Sequence, residues 1–379
     1  MRSSLSSPIT PRTALIALNA VSGLAPRTAF KLSQQEDFWP RLLNTSSEEA
    51  ARALNISEKA VINLVNFPAR DFKDQETARA EALGCRIVTI LDDDYPLRLR
   101  DITDPPIVLY VQGSIPASDE VVLAIVGSRL ATSYGLGIAE RFAMRIVEAG
   151  AAVISGMARG IDAAAHKGAL KARGRTIGVL GCGLDIVYPV QNKELYSQVA
   201  ERGCLISEFP LGAEPYPYNF PRRNRIVSAL SHGVVVVEAN IRSGALITAE
   251  FALEQGREVY AVPGHIDSLQ SRGPHELVRH GAKLIMSVED IFEDIPALQL
   301  QPELFPVGKP VRPVKPADLT NDELKVITIL DGDECSFDSL VARSGLPVPV
   351  LMGVCLSLQL RRLVRELPGK VYKAVSLTG

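Results

Sequence analysis

Much of what this 379-residue chain does is bounded by what its sequence lacks. Cysteine is scarce: Cys85, Cys182, Cys204, Cys335 and Cys355 are odd in number, widely spaced and never in a C-x-x-C pair. That argues against a disulfide framework and a structural zinc site, and it fits a reducing cytoplasm. An excess of either charge is also missing, with 41 Lys and Arg against 43 Asp and Glu. The near balance excludes a generally basic nucleic-acid-binding surface, so any polyanion site has to be local. No apolar run approaches the roughly 18 residues a membrane span needs. The stretch "ALIALNAVSGL" after Arg12 imitates a signal-peptide core, but Asn19 and Ser22 interrupt it and no small-x-small cleavage pattern follows. Catalytic signatures are absent too: there is no G-x-S-x-G elbow, no G-x-x-x-x-G-K-[ST] loop, no H-E-x-x-H and no complete G-x-G-x-x-G turn.

What is present divides into regions. Residues 1–80 carry short apolar-periodic segments ("TALIALNAVSGL", "AARALNI", "SEKAVINLVNF") and predict a small helical domain. Residues 81–295 form the next domain. It opens on two strands around a Pro- and Asp-rich turn, between about 85 and 115. From Val121 apolar runs alternate with amphipathic helices: "VVLAIV", "AAVIS", "TIGVL", "CLISE", "GVVVVEA", "EVYAVPG" and "KLIM". Strands apolar throughout, each followed by a helix, predict an α/β fold with a doubly wound parallel sheet covered on both faces. Residues 296–317 are Pro-rich and read as an extended linker. Residues 318–379 read as three helices, the last running from Val348 to Val364, and one terminal strand, a winged-helix-like unit.

Ligands of open parallel sheets collect outside the carboxyl ends of the strands. At those ends stand Gly127, Ser128 and Arg129; Ser155, Gly156 and Arg159; Gly181 and Gly183; and Arg242, Ser243 and Gly244. Glycine and serine leave backbone N–H groups open to an anion, and arginine adds forked donors. The stretch "NFPRRNR" crowds Arg222, Arg223 and Arg225 behind Pro221, which reads as the first residue of a helix. Cations are disfavoured at a helix start. Either an anion completes the site, with Phe220 offering a face to a base, or the arginines pair with Glu208, Glu214, Glu238 or Glu250. Glu238, ending a buried strand, reads as an arginine partner, and His166 as a packing or capping residue without a second metal ligand.

These residues fall within eight ordered motifs: "AIVGSR", "SGMARGIDAAAH", "GVLGCGLDIVYP", "SEFPLG", "FPRRNRIVSALS", "VVVVEA", "SGALITA" and "VPG". By them the chain resembles the DNA-processing protein A (DprA, or Smf) family. The resemblance implies an extended Rossmann-like domain that binds single-stranded DNA, forms a homodimer, and helps load RecA recombinase during natural transformation. It also implies that the N-terminal helices are sterile-alpha-motif-like. Carried over, the DNA pocket comprises Arg129, Phe220, Arg222, Arg223, Asn224, Arg225 and the Ser243-Gly244 turn, with no cofactor; Arg159 and Arg242 are added from position alone. His275 stands where such proteins commonly have Asn. A rival reading is a phosphoribohydrolase-type enzyme that cleaves an N-glycosidic bond with Glu238 or Glu250. In the C-terminal unit the third predicted helix starts uncharged, and Arg361, Arg362, Arg365, Lys370 and Lys373 gather beyond it, which favours partner docking or weak backbone contact over sequence reading.

Overall fold

The computed structural model describes residues 9–21, 24, 26–35, 45–118, 120–299, 319–330, 335–360, 363–367 and 371–374. Most of the predicted Pro-rich linker, and Arg361, Arg362 and Lys370, lie outside them. The chain divides into two compact units, Met1–Pro302 and Glu303–Gly379.

The first unit begins with helices α1 (Pro11–Ala20), α2 (Pro26–Ser33), α3 (Ser47–Leu54), α4 (Glu58–Asn66) and α5 (Ala69–Ala82). Thr10, Ser46 and Ser57 cap α1, α3 and α4 by accepting a first-turn N–H. Strands β1 (Arg86–Thr89) and β2 (Val108–Gly113) follow, with the one-turn helix α6 (Leu97–Arg100) between them. Leu15, Ile16, Leu18 and Leu64 of the helices enter one apolar core with Val108 and Tyr110 of β2.

The winding part is β3 (Val122–Val126), α7 (Ser133–Glu148), β4 (Ala152–Gly156), α8 (Ile161–Lys171), β5 (Thr176–Leu180), α9 (Lys193–Arg202), β6 (Cys204–Ser207), α10 (Asn219–Leu230), β7 (Gly233–Val236), α11 (Gly244–Glu254), β8 (Glu258–Ala261), α12 (Arg272–Arg279) and β9 (Lys283–Leu284). The nine-stranded order is β1-β2-β6-β5-β4-β3-β7-β8-β9. From β6 through to β9 every pair is parallel, as Leu123 opposite both Val153 and Gly233 shows for β3. The two leading strands extend the sheet antiparallel, with Tyr110 of β2 facing Ser207 of β6. Alternation along β3 sends Leu123 and Ile125 to one core, with Ile138 and Phe142 of α7 and Ala165 of α8. Ala124 and Val126 turn to the other, with Ile226 and Val227 of α10 and Ala249 of α11. The chain moves outward from β3 toward β6 and then returns to place β7 on the other side of β3. That reversal makes the carboxyl end of β3 a topological switch point.

The second unit packs α13 (Asn321–Leu330), α14 (Phe337–Ser344) and α15 (Val348–Leu360) on a three-stranded antiparallel sheet of β10 (Cys335–Ser336), β12 (Val371–Ala374) and β11 (Val364–Leu367), in that order. The sequence reading ran the last helix on to Val364. Instead Val364 pairs with Ala374 and Leu367 with Val371, which makes a wing hairpin. The segment "LVREL" suits helix or strand alike, and cross-strand pairing decides it. Val348, Met352 and Leu356 of α15, spaced four apart, are exposed, so this helix presents an apolar face.

Candidate functional site

A cavity of about 490 Å³ opens at the switch point, lined by the turn after β3 (Gly127, Ser128, Arg129), the turn after β4 (Gly156, Ala158), the start of α10 (Phe220, Arg223, Asn224) and the turn into α11 (Arg242, Ser243, Gly244). Local chemistry fixes each wall. Ser128 N–H donates to the Glu238 carbonyl (2.6 Å), joining the ends of β3 and β7. Gly160 takes a left-handed φ of 77°, and a side chain there would strike the Ser128 carbonyl, so only glycine lets the β4 turn pass under the β3 turn into α8. Ser243 caps α11 by accepting Ala245 N–H (3.3 Å), and Asn224 Nδ2 donates to the Gly244 carbonyl (3.1 Å), which ties α10 to that turn. α10 itself starts at Asn219, two residues before the Pro221 start predicted, and Asn219 Nδ2 anchors it to the carbonyls of Gly181 and Glu214.

The arginines separate. Arg223 lies at the cavity floor, 5% exposed, donating from Nη1 to the Val179 carbonyl. Gly156 has no Cβ because one would fall inside this guanidinium. Burial lowers the pKa of Arg223, with Asp162 opposing that shift. Exposed Arg129 holds its guanidinium 5.1 Å over the Phe220 ring, and exposed Arg242 stands at the lip. Arg225 and Arg222 do not reach the cavity, contrary to the expected shared pocket. Arg225, 3% exposed, places Nη2 2.8 Å from Glu208 and Nε 3.3 Å from Asp104. Arg222 places Nη2 2.9 Å from the same Glu208 carboxylate and lies over the Phe209 ring. The pairing alternative therefore holds for these two, with Glu208 as the acid.

Other expected residues also move. Ser155 is fully buried, donates its hydroxyl to the Ile125 carbonyl (2.6 Å) and does not line the cavity. Gly183 is packed against Asp185 and the Pro210 carbonyl, outside the cavity. Gly181 and Arg159 line an adjoining hollow of about 270 Å³ with Tyr188, which shares Arg129, Phe220 and Arg223 with the cavity. Glu238 is no arginine partner: its carboxylate accepts Thr132 N–H (2.8 Å) and the Thr132 hydroxyl (2.5 Å) at the start of α7. Glu250 is exposed on α11 and not among the residues lining the cavity. His166 is buried with Nδ1 2.7 Å from the Thr176 hydroxyl, and burial lowers its pKa to about 4. His275 places Nε2 3.1 Å from the Gly264 carbonyl.

Of the lining residues that escaped the sequence reading, one carries a charge. Asp162, in the first turn of α8 and 6% exposed, faces the cavity beside Arg223 and Arg129. Burial raises its carboxyl to about 6 against the pull of Arg223. The available signal was its place right after Gly160-Ile161, where a helix opens on the rim. With three guanidiniums against one reluctant carboxylate, the cavity suits an anion with an attached planar group that can meet Phe220.

Comparison with known proteins adds to this geometry. Residues 86–296 match the family described as DNA recombination-mediator protein A, and residues 310–370 match the DprA winged helix domain. The chain is 42% identical over 279 residues to Protein Smf of Escherichia coli K12, covering 73% of this chain and 74% of that one. It is 43% identical over 219 residues to DNA processing protein DprA of Bacillus subtilis, covering 58% and 74%. Among solved structures it superposes on DNA processing protein A of Streptococcus pneumoniae with a TM-score of 0.65 at 33% identity, covering 76% of this chain and 99% of that one. The Helicobacter pylori protein of the same name, described for its single-stranded DNA binding mode, gives 0.51 at 29% identity over 56% and 96%.

Proposed function

Because the chain belongs to the DNA recombination-mediator protein A family, we propose that its rim cavity binds single-stranded DNA, protecting incoming strands and helping to load RecA recombinase on them during natural transformation. The observation that carries this reading is the grouping of Arg129, Arg223 and Arg242 in one cavity with Phe220, whose ring lies under Arg129, at the switch point. Guanidiniums hold phosphates and the ring offers a stacking face, a combination tolerant of sequence. The single-stranded DNA binding described for the Helicobacter pylori neighbour supports it. A compact cavity of about 490 Å³ at the strand ends suits a flexible backbone with splayed bases better than a stiff duplex.

The protein works in the cytoplasm as a homodimer, which would set two cavities on one strand and raise avidity through effective concentration. The N-terminal helices act as a sterile-alpha-motif-like accessory. The exposed apolar face of α15 supports partner docking by the C-terminal unit rather than sequence reading.

Binding without turnover is preferred to the N-glycosidase alternative, because Glu238 is committed to Thr132 and Glu250 does not line the cavity. The test is oligo-dT against duplex of equal length, with intact protein and Arg129→Ala. Preference for the single strand, lost in the variant while the melting curve is kept, is expected. Equal binding by the variant refutes the pocket. Base release from nucleoside monophosphates refutes the binder-only reading.

A further inference from the structure

Tyr216 and Tyr218 are 51% and 69% exposed, with ring planes within 9° and centroids 5.4 Å apart. Exposed rings gain little from burial, yet the loop that carries them is held firmly. Tyr216 N–H donates to the Glu214 carbonyl (2.9 Å), Asn219 N–H to the Tyr216 carbonyl (2.9 Å), and the Asn219 amide to Gly181 and Glu214. The loop leads straight into Phe220, so aromatic rings stand at alternate positions 216, 218 and 220 up to the cavity wall.

Both tyrosines border a hollow of about 330 Å³ that also contains Arg222 and the apolar Leu18, Val21 and Phe209. Arg222 is bonded to Glu208 through one nitrogen, and its buried Nε has no hydrogen-bond partner.

We infer that Tyr216 and Tyr218 form a nucleobase-stacking platform that carries a single strand onward from the rim cavity. The inference rests on the single-strand reading and extends its footprint. The ring centroids are too close to admit a base between them, so a base lies on the outer face of the pair. Every base has a π-face, so the platform adds affinity without sequence preference. A nucleobase is favoured over a protein side chain because the pair immediately precedes Phe220 in the chain, whose ring lies under the Arg129 guanidinium in the rim cavity.

The experiment measures affinity of the full chain for oligo-dT of roughly 4 and roughly 16 nucleotides, the span of single-strand site sizes. It compares wild type, the doubly substituted Tyr216→Ala/Tyr218→Ala protein, and the Tyr216→Phe/Tyr218→Phe protein, with melting curves for each. Expected is a loss on the order of tenfold for the long oligomer with the alanines, little change for the short one, and full retention with the phenylalanines. Unchanged long-oligomer affinity in the alanine protein overturns the platform alone. Unchanged affinity with weakened self-association by sedimentation velocity overturns it in favour of contact with a second copy. Failure of wild type to bind either oligomer refutes the single-strand reading itself and the platform with it.

Discussion

Arg222, Arg223 and Arg225 leave one helical turn, yet they serve different ends. Positions 222 and 225 are three apart and share a face, whereas 223 is turned about 100° from 222. The face of 222 and 225 meets Glu208, and that of 223 meets the cavity floor. The sequence reading put all three in one pocket and offered Glu208 as one of four possible acids; the choice among the four was not legible, because Glu208 lies in another segment, just after β6. Replacing both Arg222 and Arg225 with Ala strands the buried Glu208 carboxylate and is expected to cost about 3–5 kcal/mol in urea unfolding. Arg129→Ala, at an exposed residue, is expected to leave stability unchanged. It should weaken oligo-dT binding by 10- to 100-fold, the equivalent of ~1.5–3 kcal/mol for a charged hydrogen bond, read by fluorescence anisotropy.

At the scale of elements, strand β4 and helix α8 bring the floor together. Gly156→Ala ends β4 with a methyl where the Arg223 guanidinium lies. Overpacking there is expected to cost about 1–3 kcal/mol in unfolding and to displace Arg223, so oligo-dT affinity falls with stability. On α8, Asp162 and His166 stand one turn apart and titrate with opposite effect. Asp162, raised from 3.8 to about 6, binds its proton more tightly in the folded state, so its contribution is full at low pH and lost as pH rises through about 6. His166, and His232 likewise, are lowered from 6.5 to about 4, so the unfolded chain takes up protons first and stability falls as pH drops from about 6.5 toward 4. The terms partly cancel over that window. Asp162→Asn removes the compensating one, and the acid-side fall in urea midpoint between pH 6.5 and 4 is expected to become steeper.

For the whole molecule, the sheet and cavity belong to one compact unit that ends at Pro302. Residues 1–302 are therefore expected to keep the single-strand affinity of the full chain; a large loss would assign binding to the C-terminal unit. A fragment starting at residue 115 is a poorer test, since it removes β1 and β2 and bares the edge of β6. Three neutralised phosphates give a slope of log affinity against log salt of about −2 for single strands, measurable by titration with potassium chloride. Near-neutral net charge makes this slope local in origin, and Arg129→Ala is expected to make it shallower by about 0.7.

The run of apolar strands and their alternation with helices, and hence a parallel sheet, could be read from the residues alone, because backbone pairing and burial on both faces leave a periodic mark. The sequence also placed Arg129, Phe220, Arg223, Arg242 and Ser243 near the carboxyl rim of that sheet. Long-range contacts were needed to give Arg222 and Arg225 to Glu208 and Glu238 to Thr132, to set Asp162 in the cavity wall, and to make Val364–Leu367 a strand. Each of those outcomes depends on a partner from a distant segment. Periodicity records which face of an element is buried, and does not record what that face meets.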